Sequence, residues 1–115
     1  MDAMNAAEKE IYSSLVLELR RGVIVLAVLS QLAQPMYGYN LVSVLSGAGV
    51  EVEANTLYPL LRRLEGQGLL QSSWDTAAAK PRKYYSLTPM GHKINAALKE
   101  NWRATTNELA ALLGE

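Results

Sequence analysis

The sequence predicts a mainly α-helical domain with a small β-hairpin, on three observations. Apolar residues recur every three or four positions over most of the chain, two short runs bounded by helix breakers carry β-prone aromatics, and the C-terminal segment has an apolar stripe at heptad spacing. The 115 residues are half apolar and contain no cysteine, so one soluble domain folds around one core without disulfides. A single His and no Cys argue against a structural zinc site, and no metal or cofactor is expected. The most apolar stretch, Val23 to Ala33, is broken by Ser30 and Gln31 and is shorter than the ~20 residues of a membrane helix. No basic segment precedes an apolar run, so a secretion signal is not expected and a cytoplasmic location is.

From Ala6 to Ala33 good helix formers place Leu15, Leu19, Val23, Leu26 and Leu29 on a recurring stripe, which reads as one long helix or two in tandem. Gly22 within it allows a kink or a close helix contact. Gln34-Pro35 ends the run, because the residue before Pro is pushed out of the helical region. A short helix follows from about Gly38 to Ser46, with Leu41, Val42 and Leu45 inward and Gly47-Ala48-Gly49 closing it. A third helix is expected over 54–66, burying Leu57, Leu60, Leu61 and Leu64 and turning Asn55, Pro59, Arg62 and Arg63 outward, with Thr56 and Tyr58 on the flanks. Pro59 favours a start near Asn55 or Thr56, since a start near Glu53 costs a backbone bond or a bend.

The runs Leu69–Trp74 and Arg82–Leu87 pair as a hairpin whose tip spans 75–81. Alternation puts Tyr85 and Leu87 on a packed face and Arg82 and Tyr84 on a wet one, with Trp74 covering the hairpin base. Thr88 is a good N-cap with Pro89 at the first helical position, and a last helix then runs to about Leu113 before Gly114. Its seam, Leu98, Trp102, Thr105, Leu109 and Leu112, needs a partner surface, either the first helix or a second copy of the chain.

This order, three helices, a hairpin and a final helix, suggests a winged helix-turn-helix flanked by N- and C-terminal helices. It divides into a helical extension (1–18), the winged module (19–88) and a C-terminal helix (89–115). The third helix is a candidate recognition helix for the major groove of a double-stranded DNA operator, since Asn55 and Arg62 can bond bidentately to base edges. The wing, 75–83, offers Lys80, Arg82 and Lys83 to phosphates or the minor groove. Tyr37, Thr56, Tyr58, Arg63 and Tyr84 complete the expected DNA-binding set. Packing is the competing role for Tyr58, Tyr84 and Tyr85, and an ion pair with Glu51 or Glu53 is the competing role for Arg63. His92 is expected at the surface.

Net charge is zero, which is unusual for a nucleic-acid binder, but the sum hides a segregation. Residues 56–93 carry six basic groups against two acids, while 1–55 carry three against six and 94–115 two against three. With no Gly-rich phosphate loop, Cys nucleophile or metal-ligand cluster, the chain does not read as an enzyme. The alternative to a DNA-binding regulator is a winged helix that binds a protein partner without DNA.

The runs Leu19-Arg20-Arg21-Gly22, Tyr37-Gly38-Tyr39, Asn55-Thr56-Leu57-Tyr58-Pro59, Arg63-Leu64-Glu65, Gly68-Leu69, Pro81-Arg82-Lys83-Tyr84-Tyr85 and Leu87-Thr88 together resemble the PadR family of bacterial transcriptional regulators. The resemblance spans about Leu19 to Leu113. It implies a homodimeric repressor of its own operon or of a neighbouring stress, transporter or detoxification gene, nucleoid-associated when bound. The chain looks like the short branch, whose dimer forms through the first and last helices; the resemblance thus implies that 1–18 supports the dimer and 89–115 is a C-terminal dimerisation helix, with Leu15, Leu19, Leu98, Trp102, Thr105, Leu109 and Leu112 at the interface. In some members a Trp of the last helix lines a central pocket that stacks flat aromatic compounds. Trp102, with Leu98 and Thr105, matches that position, and a small planar aromatic effector is the ligand it implies; a heptad residue without a cavity is the competing reading of Trp102. The chain departs from the family pattern at Asn55, where a Gly is usual, and at a wing tip reading Ala79-Lys80-Pro81-Arg82 without Gly.

Overall fold

The computed structural model describes residues 3–77 and 79–115. In chain order the elements are α1 (Ala6–Gln31), β1 (Met36–Tyr37), α2 (Gly38–Gly47), α3 (Ala54–Gly66), β2 (Leu70–Asp75), β3 (Arg82–Leu87) and α4 (Pro89–Leu113). α1 starts at a capping box in which the Asn5 side chain accepts from the Glu8 amide and the Glu8 carboxylate accepts from the Asn5 amide, both at 2.9 Å. It then runs unbroken through Gly22 to Gln31, so the long single helix is found and the tandem pair is not. A Cβ placed on Gly22 would meet nothing within 4 Å, which removes the close helix contact considered for that position.

The core forms where the end of α1 meets the helix pair and the sheet. Val28, Leu29 and Leu32 from α1 and its cap, Leu41 and Leu45 from α2, and Leu57, Leu61 and Leu64 from α3 are buried with Leu70, Tyr85 and Leu87 of the strands. Each buried Leu contributes about 1.5–3 kcal/mol relative to exposure. The Leu87 amide donates to the Leu32 carbonyl at 2.8 Å, tying the sheet to the end of α1.

α3 spans the expected 54–66, with Glu53 at the N-cap position and a start one residue ahead of the Asn55 that Pro59 favours. Asn55 therefore lies inside the first turn and is not the cap. Pro59 is the sixth residue of the helix, and the Asn55 carbonyl goes without the amide proton that Pro lacks. Burial of Leu57, Leu61 and Leu64 along one face outweighs that single lost bond. Leu60, expected on that face, is only partly buried.

The hairpin gains a strand that the sequence reading lacks. Met36 and Tyr37 pair antiparallel with Tyr85 and Tyr84, giving a three-stranded sheet of order β1-β3-β2. Two residues are too few for a recognisable alternation, which is why the segment reads as a loop. In β2 and β3 the register runs from Leu70↔Leu87 to Asp75↔Arg82, and this places Trp74 opposite Lys83 near the tip. Trp74 thus does not cover the hairpin base; it is 61% exposed at the far end.

α4 starts as its sequence predicts. The Thr88 hydroxyl accepts from the Gly91 amide at 2.9 Å and donates to the Gly68 carbonyl at 2.6 Å, so one side chain caps the helix and anchors it to the turn after α3. Gly91 is needed here, because any Cβ would overlap the Leu69 carbonyl oxygen. Gly114, in the left-handed region at φ 78°, ends the helix. α4 packs back on α1, and the boundary drawn between residues 18 and 19 falls inside the unbroken α1.

Candidate nucleic-acid interface

On α3, Asn55, Thr56, Arg62 and Arg63 are all exposed, as expected from their angular positions. Tyr58 is half-buried, and its ring lies so close to α2 that a Cβ on Gly38 would sit 2.8 Å from Cε1. Packing is thus a role Tyr58 has: it seats α3 against the start of α2. No Glu51 or Glu53 oxygen lies within 4.0 Å of Arg63; Glu51 instead accepts from the Ser46 hydroxyl at 3.0 Å.

At the wing, two clusters fix the strands. On the wet face the Arg82 guanidinium lies 5.5 Å from the ring centroids of both Tyr37 and Tyr39 and donates to the Tyr39 hydroxyl at 2.8 Å. Those two rings stack at 5.8 Å and 9°, and Tyr84 meets Tyr37 edge-on at 6.0 Å and 86°. The Tyr37 hydroxyl donates to Asp75 Oδ2 at 2.5 Å, while Asp75 Oδ1 accepts from the Ala77 amide at 3.0 Å. The hydrogen bond from Tyr37, followed by that from Ala77, holds the Asp75 carboxyl below its ordinary range. The same bond to Asp75 raises the Tyr37 phenol.

On the opposite face Lys83 Nζ sits 3.8 Å from Glu65 Oε1 and 5.4 and 5.9 Å from the rings of Tyr85 and Trp74. Glu65 Oε2 also accepts from the Ser72 hydroxyl at 2.5 Å, so the end of α3 is tied to both strands. Of the expected basic set, Arg82 and Lys83 are therefore engaged within the chain. Among the described residues, Arg62, Arg63 and Lys80 have no carboxylate within 4.0 Å. Of the acids of this surface, Glu65 is paired with Lys83 while Asp75 keeps its charge, and Arg62, Arg63, Lys80 and Arg82 outnumber it to make the potential toward a polyanion attractive.

Tyr39, Asp75 and Glu65 were absent from the site read in the sequence. Tyr39 stands in the Tyr37-Gly38-Tyr39 run, and a hairpin register opposing Asp75 to Arg82 was available from the strand ends. What periodicity lacks is the third strand that brings Tyr37 to them.

Away from this surface, Leu98, Trp102 and Thr105 of α4 meet Leu19, Gly22, Val23 and Leu26 of α1 around a groove of about 410 Å³. The residues expected to form a ligand pocket are thus together. Beyond the groove Leu15, Leu109 and Leu112 project into solvent with Ile11 and Tyr12. Among the described residues there is no cluster of metal-ligating side chains, and no helix is long and apolar enough to cross a membrane.

Residues 25–97 match the model of the transcriptional regulator PadR-like family. A crystal structure of a PadR family transcriptional regulator from Eggerthella lenta is 50% identical, with a TM-score of 0.89, covering 95% of this chain and 97% of that one. A PadR family regulator structure from Clostridium difficile is 26% identical with a TM-score of 0.73, over 78% and 97%. A transcriptional regulator of Mycobacterium tuberculosis is 37% identical over 98 residues, 84% of this chain and 89% of that protein. These relatives are regulators of transcription rather than enzymes.

Proposed function

The chain belongs to the PadR-like family of transcriptional regulators, and from that premise we propose that it is a homodimeric, ligand-responsive repressor that reads its operator with α3. The observation that carries the reading is the pair Arg62 and Arg63 on the exposed face of α3, free of carboxylates among the described residues, beside a wing whose one acid, Asp75, is bonded to Tyr37. In this reading Asn55 and Arg62 meet base edges in the major groove, while Arg63 and Lys80 meet phosphates. Arg82 and Lys83 act by holding the wing in place as much as by their charge.

The exposed seam on α1 and α4 supports the homodimer, with two recognition helices about 34–36 Å apart on one face of the duplex. Trp102, 48% exposed in the α1–α4 groove, supports a flat aromatic effector that stacks at the dimer centre. A salt titration of binding to a duplex selected from a random library tests the reading. Affinity should fall steeply with salt through counterion release, and a flat slope would instead favour a winged helix that docks on protein.

A further inference from the structure

Between α1 and α4, Trp74 is the most exposed large apolar side chain among the described residues, and the core does not account for it. The register puts Leu70, Ser72 and Trp74 on the same face of the hairpin as Leu87, Tyr85 and Lys83. At the inner end this face is core, with Leu70 and Leu87 buried. At the outer end it opens on a groove of about 410 Å³ between the wing and α3, lined by Trp74 with Tyr39, Tyr58, Arg62, Arg82 and Lys83. Glu65, the acid beside Lys83, is occupied by Lys83 and Ser72, so the cations of the groove without a carboxylate within 4.0 Å among the described residues are Arg62 and Arg82.

We propose that Trp74 is a DNA-contact residue, forming the apolar wall of a groove that seats one sugar-phosphate strand between the wing and α3. This rests on the DNA-binding reading of α3. The chemistry of the groove fits that strand at two points. The indole offers a flat apolar surface for a deoxyribose and a single N–H donor for a phosphate oxygen, and Arg82, which bonds Tyr39 through one nitrogen only, offers the opposing cation. The groove is continuous with the exposed face of α3, so a duplex laid on that helix brings its backbone to the indole.

Binding of the full chain to a library-selected duplex is compared for wild type, Trp74→Ala and Trp74→Phe, with melting curves confirming the fold of each. Trp74→Ala should weaken binding about tenfold for every duplex tested. The slope of log affinity against log salt should stay as in wild type, because no cation is removed. Trp74→Phe, which keeps an apolar face, should recover most of the loss. In a chain labelled with 5-fluorotryptophan, the fluorine resonance that Trp74→Phe removes should shift saturably with duplex. Unchanged binding by Trp74→Ala, or a Trp74 resonance that stays fixed while duplex is bound, overturns the proposal and leaves the DNA reading intact. Failure of the wild-type chain to bind any duplex overturns both.

Discussion

At the scale of single residues, Asp75 has the most to answer for, since a carboxylate at a DNA-facing surface repels phosphate. If its task is to hold the wing, Asp75→Asn should lower DNA affinity despite removing a negative charge; a rise in affinity would identify it as mere repulsion. The titration of the pair has a defined sign. Asp75 ionises below its ordinary value of 3.8, so its contribution is present above that value and lost as pH falls through the lower, folded one. Tyr37 loses its proton above its ordinary value of 10.0, so its contribution is present below 10.0 and lost as pH rises through the higher, folded one. The contact should persist across the neutral range, and ultraviolet titration of Asp75→Asn should show one tyrosine returning toward its ordinary value. Gly91 is simpler. Its replacement by Ala drives a methyl into the Leu69 carbonyl, and chemical denaturation should show a loss of about 3 kcal/mol.

At the scale of elements, what was legible in the sequence is what periodicity and capping encode. The long α1, the Thr88-Pro89 start of α4 and the inward Leu57, Leu61 and Leu64 all follow from spacing and local chemistry. Two features escaped because tertiary contacts decide them. β1 exists because β3 is there to pair with it; Trp74 lies at the tip because register, not composition, sets where a strand residue falls. The binding surface divides in the same way. Exposure of Arg62 and Arg63 could be counted from helical angles, whereas the capture of Arg82 by two tyrosines and of Lys83 by Glu65 could not. A consequence is that Lys80→Ala should shallow the salt slope by about one phosphate contact, while Arg62→Ala should cost ~1–3 kcal/mol at particular bases. Gly22→Ala, on an exposed position of α1 with open space around it, should stabilise the chain by about 0.5–1 kcal/mol in thermal unfolding.

At the scale of the whole molecule, the radius of gyration is 17.0 Å, against about 13 Å expected for a compact chain of this length, and the longest extent is 55 Å. The excess comes from two helices that reach past the core, with apolar side chains along them that the chain itself does not cover. Charging the seam of the proposed homodimer by Leu109→Glu with Leu112→Glu should yield monomers in sedimentation, with operator affinity lower by on the order of a hundredfold as its two modules cease to act together. The zero net charge is consistent with this division, since the cations gather in the central segment and the acids in the terminal ones. The unbroken α1 then has a mechanical meaning. Its 26 residues make a rod of roughly 39 Å, with one end in the apolar seam and the other in the core under α3, the proposed recognition helix. Pivoted at one end, such a lever turns a tilt of about 5° into a displacement of roughly 3 Å at the other, the scale on which a side chain gains or loses its hydrogen bond to a base.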